Sequence, residues 1–338
     1  MRYDFGSDNT AGMAPSALEG LIQANAGFVP SYGADAITAR AADQIRQRLD
    51  ADADVRFVFS GTAANAIALS MLTYPFEAVL AHNAAHVCTD ETGAPGFFGQ
   101  GVGLIGLPGF SGRIDPLALK AQLTEPEVGH RQPPAALSLT QATEYGAVYT
   151  EEELRHLIEP VKACGYGVHM DGARLANAAA AGFDLKDIAR LGVDILVFGG
   201  AKAGASCVEA LVLFDKSLAR RLDNRLKQAG QTASKARTLA GPMLGLLESG
   251  DWEAGGAHAN LMAQRLAAGI ATRSPFVLAH PVESNTVFVR MPAEAHQRLK
   301  ALGWACYQFD DGSVRFVCSW ATQEEAVDEL IAAIAGLN

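Results

Sequence analysis

Short runs of branched and apolar residues recur along the first two-thirds of the chain, each closed by glycine or small polar residues. Between them lie stretches with apolar positions at helical spacing. The pattern predicts strands over 55–59, 135–139, 165–170, 193–199 and 209–214, with two more between 78 and 110 around a loop at 81–94. It predicts helices from residue 16, through 47, over 66–72, over 116–123 and over 151–162. Strand followed by helix with short links is the signature of an α/β fold with a mostly parallel sheet. Beyond residue 250 the order changes. A helix over 258–270, a strand over 286–290, a helix over 293–302, strands over 306–309 and 314–318 and a helix from 324 predict a compact α+β unit.

At 338 residues the chain is long for one core. The change in pattern divides it into a large domain, 1–247, and a smaller one, 248–338. Hydrophobic residues at 49% and charged residues at 19% supply buried sheets and exclude a disordered profile. A net charge of -10 argues against a nucleic-acid scaffold. Five scattered cysteines without a C-x-x-C spacing indicate free thiols in a reducing compartment. With no apolar leader near Met1 and no membrane-length apolar run, the expectation is a cytoplasmic enzyme.

Candidate chemistry clusters at strand ends. Residues 193–199 read as a buried strand that ends on Gly199 and Gly200 and is followed by Lys202, where open α/β sheets place ligands. Taken singly, a lysine after a strand is more often solvated. The preceding strand ends at Asp171-Gly172-Ala173-Arg174. Ser60-Gly61-Thr62 opens a helix whose first amides can take an anion, although Ser and Thr also serve as plain N-caps. His82 and His86 stand four apart with no third ligand at metal spacing, so no metal site is expected. The polar, turn-rich arm at 4–10 has the composition of a frayed terminus. Gly101-Val102-Gly103-Leu104-Ile105-Gly106 matches a dinucleotide motif in letters only, because Pro108 prevents the helix that motif must open. The basic run Arg220, Arg221, Arg225, Lys227, Lys235 and Arg237 reads as a solvated face, a phosphate contact or a subunit contact. Arg315 lies in a strand between apolar neighbours, which predicts an anionic partner for it.

A lysine, an aspartate, an anion-binding helix start, an imidazole and two arginines are the parts that pyridoxal 5′-phosphate (PLP) requires. The sequence resembles the PLP-dependent threonine aldolases, including phenylserine aldolases, in the β-eliminating-lyase branch of the fold-type I enzymes. The resemblance rests on Phe5-Gly6-Ser7-Asp8-Asn9-Thr10, Ser31-Tyr32-Gly33, Ser60-Gly61-Thr62, His86 with Glu91, His169-Met170-Asp171-Gly172-Ala173-Arg174, Gly199-Gly200-Ala201-Lys202 and Val314-Arg315-Phe316-Val317.

It implies a fold-type I, transferase-like architecture. It also implies that Lys202 forms a Schiff base with the cofactor, Asp171 pairs with the pyridine nitrogen and His86 stacks on the ring. Ser60, Gly61 and Thr62 would bind the phosphate, and Ser7, Arg174 and Arg315 the substrate carboxylate, with Arg174 close to the cofactor too. His86, or a water it orders, is the candidate base. A homotetramer, built as a dimer of dimers with sites at a subunit interface, follows from the same resemblance. Tyr32 and a base from the cluster, Lys227 first and Lys235 next, would then reach a neighbouring site.

Two positions depart from the family pattern. Gln141 stands near a histidine that many members direct at the substrate hydroxyl, and it is expected to contact substrate in that place. Gly-Gly-Ala-Lys-Ala-Gly replaces the common Gly-Gly-Thr-Lys-Asn-Gly. The expected reaction is cleavage of threonine, allo-threonine or phenylserine to glycine and an aldehyde. The alternatives are β-elimination or transamination on the same fold and, more distantly, an NAD-dependent oxidoreductase.

Overall fold

The structure, a computed structural model, describes residues 1–309 and 311–337. Seven strands build the main sheet: β1 (Asp54–Val58), β2 (Ala78–His82), β3 (Gly103–Leu107), β4 (Pro134–Thr140), β5 (Gly167–Gly172), β6 (Ile195–Gly199) and β7 (Glu209–Leu213). Their order is β1-β7-β6-β5-β4-β2-β3. Only β7 runs against its neighbours; β6, β5, β4, β2 and β3 are mutually parallel. β2, β6 and β7 are buried at every position, which is why they read as unbroken apolar runs rather than alternating ones.

Helices cover both faces of this sheet. The helix Glu151–Ala163 has a full capping box between Thr150 and Glu153 and turns Leu154, Leu157, Ile158 and Val161 into the core. Gly61–Leu72 begins at Ser60, whose side chain accepts from the Ala63 amide. The segment expected as a loop at 81–94 contains the short helix His86–Thr89, and a second, Ala94–Phe98, begins at its end. The letter-match glycine motif falls on β3, a strand.

The second sheet, in order β10-β11-β9-β8, comprises β8 (Val277–Leu278), β9 (Thr286–Arg290), β10 (Tyr307–Gln308) and β11 (Val314–Val317), and is antiparallel throughout. Its own core joins Val287, Val289, Val314 and Phe316 to Met262, Leu266 and Ile270 of the helix Asp251–Arg273 and to Leu330 and Ile331 of Glu324–Ala335. The helix Asp251–Arg273 starts two turns before its expected position because Gly255 and Gly256 weaken the helical reading. Their purpose is packing: a Cβ on Gly256 would stand 2.5 Å from the Ala176 carbonyl oxygen. The amino-terminal arm is not frayed. Phe5 is buried in the second core, and its carbonyl accepts from the Val317 amide at 2.9 Å.

The helices Pro15–Ala24 and Arg237–Ser249 cross at backbone contact. A Cβ on Gly20 would meet the Gly241 carbonyl oxygen at 2.2 Å, and one on Gly245 would meet that of Ser16 at 2.1 Å. Alanine favours a helix over glycine by about 1 kcal/mol, yet overpacking against rigid backbone costs about 1–3 kcal/mol. Gly20→Ala should therefore lower stability in urea unfolding; a rise would show that the crossing is looser than described.

Candidate active site

The parallel strands β4, β5 and β6 end on one edge of the sheet, and a cavity of about 860 Å³ opens there against the second sheet and the amino-terminal arm. Its walls carry Ser7, His86, Arg174, Lys202 and Arg315, five residues drawn from five separate segments. The chain reaches this geometry through two glycines. A Cβ on Gly199 would lie 2.5 Å from the Gly172 carbonyl oxygen and 2.6 Å from that of Ala173, so only glycine lets β6 end hard against the end of β5. Gly200 has Val208 backbone 2.7 Å from its own Cβ position. Trp252 stacks on Phe198 at 4.7 Å and donates its indole N–H to the Gly199 carbonyl at 2.9 Å. The turn that presents Lys202 is thus closed on several sides.

Asp171, at the end of β5, is 5% exposed. Its Oδ1 accepts from the Ala173 amide at 2.9 Å and its Oδ2 from Asn65 Nδ2 at 2.9 Å. Burial works to raise this carboxyl, but Lys202, the Ala173 amide, His169 and Asn65 together hold it below the ordinary range. Asp171 is therefore a buried anion at neutral pH. The same Asn65 nitrogen donates to Glu91 Oε1 at 2.8 Å, and that oxygen meets His86 Nδ1 at 2.9 Å. A continuous polar chain links Asp171 to His86. The Glu91 contact raises His86 against the opposing effect of its burial, and burial raises Glu91 despite His86 and Asn65. Holding Nδ1 against Glu91 leaves Nε2 as the nitrogen available for other contacts.

The two arginines differ. Arg174 is buried and already gripped: Nε and Nη2 lie 2.7 and 3.1 Å from the two Asp8 oxygens, with Glu144 at 3.7 Å from Nη1. Burial disfavours its charge, and Asp8 and Glu144 more than restore it. Arg315 corrects the expectation of an anionic partner. Among the described residues no carboxylate lies within ion-pair distance; its guanidinium sits 4.8 Å from the Phe309 ring and reaches the Gly6 carbonyl at 3.4 Å. Its Nε is buried without an acceptor. Burial, then repulsion from Arg174, lowers its pKa. The charge faces the cavity, which is where an anion would satisfy it.

Ser7 caps the short turn Asp8–Thr10 through the Asn9 amide and lines the same cavity. Ser60, Gly61 and Thr62 stand outside that lining, at the start of the helix that carries Asn65 one turn later. The amides of Gly61 and Thr62 have, by position, no intrahelical carbonyl to meet. Tyr32 and Lys227 stand outside that cavity's lining, with the ammonium 5.0 Å from the phenol ring; Lys235 is exposed nearby, next to Ser234, whose carbonyl accepts from the Tyr32 amide. Gln141 is corrected outright. It is fully buried, and its amide exchanges two hydrogen bonds with the Tyr149 backbone, both at 3.0 Å, so it braces the loop after β4 instead of meeting substrate. Sequence reasoning gave no role to Asn65, Glu144, Tyr307 or Phe309, and all but Asn65 line the cavity. The one signal for Asn65 was a lone amide in the apolar stretch 63–69.

Comparison with known proteins agrees with this geometry. Residues 4–294 match the beta-eliminating lyase family. The chain is 42% identical to a low specificity L-threonine aldolase of Pseudomonas sp. (strain NCIMB 10558), covering 98% of this chain and 96% of that one. It is 41% identical to another from Pseudomonas aeruginosa, over 96% and 95%. A Leishmania major threonine aldolase structure superposes with a TM-score of 0.93 at 31% identity, over 99% of both chains.

The Glu91 carboxylate raises His86, so the pair's stabilising contribution is complete below the ordinary histidine value and is lost as pH rises through the higher folded one. Glu91→Gln should move the His86 midpoint downward in an NMR titration. An unchanged midpoint would contradict the polar chain described here.

Proposed function

Because this chain belongs to the beta-eliminating lyase family, we propose that it is a PLP-dependent aldolase cleaving L-threonine-like β-hydroxy-α-amino acids to glycine and an aldehyde. The observation that carries this reading is a single cavity that gathers Lys202, His86, Arg174 and Arg315 beside the buried Asp171 anion. Relatives above 40% identity over nearly the whole chain, each described as a low specificity L-threonine aldolase, support it.

The residues fit the cofactor. A lysine amine stands within electrostatic reach of a buried carboxylate that stays ionised, two helix-start amides at Gly61 and Thr62 lie one turn from Asn65, and Arg315 Nε lacks an acceptor. Lys202 would hold PLP through Nζ, Asp171 would keep a proton on its ring nitrogen, and Ser60, Gly61 and Thr62 would take its phosphate. When bound, PLP supplies a sink for the electron pair released as the substrate Cα–Cβ bond breaks.

The chain's own residues do the rest. Arg315 takes the substrate carboxylate as a two-pronged donor, with Ser7 Oγ beside it. Asp8 fixes Arg174, so the second guanidinium cannot swing away from that side. With the carboxylate and the amine both held, the substrate Cα cannot turn, which fixes the direction of the Cα–Cβ bond to be cleaved. His86 Nε2 accepts the β-hydroxyl proton while Glu91 keeps Nδ1–H in place. Tyr307 and Phe309 present rings to the same cavity, which supports phenylserine as a substrate beside threonine and allo-threonine.

Tyr32, Lys227 and Lys235 complete a neighbour's site in a homotetramer; their exposure and their place outside the lining of this chain's own cavity support that reading. A cytoplasmic location accords with five unpaired thiols. No helix among the described residues is long and apolar enough to cross a membrane. The proposed division at 247/248 puts the cofactor residues before it and Arg315 after it, although it falls within the helix Arg237–Ser249 and both cores reach across it, Trp252 packing in the first and Phe5 in the second.

Two experiments test the reading. Lys202→Ala should abolish glycine and aldehyde formation from L-threonine, L-allo-threonine and phenylserine; wild-type turnover to pyruvate and ammonia or to a keto acid would replace the aldolase reading with β-elimination or transamination. Arg315→Ala should raise KM by about tenfold or more through loss of a charge-assisted pair; an unchanged KM would remove Arg315 from the carboxylate site.

A further inference from the structure

Glu209 is a buried acid that the mechanism above does not use. It lies on β7, in register with Gly199 at the end of β6 and with Val58 on β1. Its carboxylate turns toward the lysine turn: Oε2 accepts from the Gly200 amide at 2.7 Å, and the neighbouring Ala201 amide favours its charge. Among the described residues no cation forms an ion pair with it. A buried carboxylate without an ion-pair partner costs stability unless hydrogen bonds compensate it, and the compensating bond here comes from the backbone immediately before Lys202.

Besides its internal backbone hydrogen bonds and the packing around Gly199 and Gly200, the turn's own side chains give it little support. Gly200 has no side chain, Ala201 has only a methyl, and the usual Thr and Asn of this motif are absent at Ala201 and Ala203. Trp252 holds the turn at the Gly199 carbonyl, and Glu209 holds it at the Gly200 amide that follows. We propose that Glu209 is a positioning residue: its carboxylate fixes the Gly200 amide and thereby sets where Lys202 enters the cavity. The proposal rests on the reading of Lys202 as the residue that carries PLP.

Ionisation decides how firmly the clamp works, since a carboxylate accepts hydrogen bonds more strongly than a neutral acid. Burial pushes Glu209 up to about 7, with the Gly200 and Ala201 amides and Lys202 opposing that rise and Asp171 adding to it. Lys202 and Asp171 are the charged groups that face it from the neighbouring turn and from β5. A raised carboxyl stabilises the fold relative to an ordinary one below the ordinary glutamate value, and that advantage is lost as pH rises through about 7. Stability and positioning therefore pull in opposite directions.

The test compares full-length wild type with Glu209→Gln and Glu209→Asp. Two readouts are taken across pH: the melting temperature of the cofactor-free protein and the PLP dissociation constant from absorbance titration. Glu209→Gln removes the charge, so wild type should lose melting temperature relative to it as pH rises through about 7. The same variant should bind PLP about tenfold more weakly above about pH 8 and approach wild type below about pH 6. Glu209→Asp keeps the charge but falls short of the amide, and should weaken PLP binding at every pH. A dissociation constant unchanged in both variants, or a wild-type-to-Gln ratio that does not move with pH, would overturn the proposal. A wild type that takes no PLP at all would instead overturn the functional reading on which it rests.

Discussion

The site depends on how closely β5 and β6 end against each other. Gly199 has no room for a Cβ against the carbonyls of Gly172 and Ala173, and that contact brings Lys202 within electrostatic reach of Asp171. The charges then define each other: Lys202 helps keep Asp171 ionised, and a buried carboxylate with that partner is what a protonated ring nitrogen needs. Had either strand ended one side chain further apart, an isolated lysine and an isolated acid would remain. Each would be costly to bury and of no use to a cofactor.

Around that pair the molecule concentrates buried charge on one side of the sheet. Asp8 with Arg174, Asp171 with Asn65, and Glu91 with His86 are all held by direct hydrogen bonds, and the first two join segments far apart in the chain. Networks of this kind rigidify a site when satisfied and cost stability when broken. Arg315 is the exception: half-buried, backed by the Phe309 ring, facing the cavity and left without a carboxylate among the described residues. Stability for the rest comes from apolar packing elsewhere, in the all-buried strands and in the helix crossing at Gly20, Gly241 and Gly245.

Much of this was legible in the sequence, for local reasons. Buried parallel strands leave unbroken apolar runs, and a strand end with glycines followed by lysine is visible in a dozen letters. Lys202, Asp171, Arg174 and Arg315 could be picked out that way. The Asn65–Glu91 link could not, because its partners lie 26 and 106 residues from Asn65 and only the folded sheet brings them together. Gln141 misled because position in a motif says nothing about which way a side chain turns; here it turns inward to Tyr149. The start of Asp251–Arg273 was misplaced because glycines that serve packing look, in isolation, like helix breakers.

The central claim is that this geometry makes Lys202 the covalent anchor of PLP. Borohydride reduction of the cofactor-loaded protein, followed by peptide mapping by mass spectrometry, tests it most directly. The account predicts one phosphopyridoxyl group per chain, on the peptide containing Lys202. Labelling at Lys227, Lys235 or another lysine, or none at all, would contradict it.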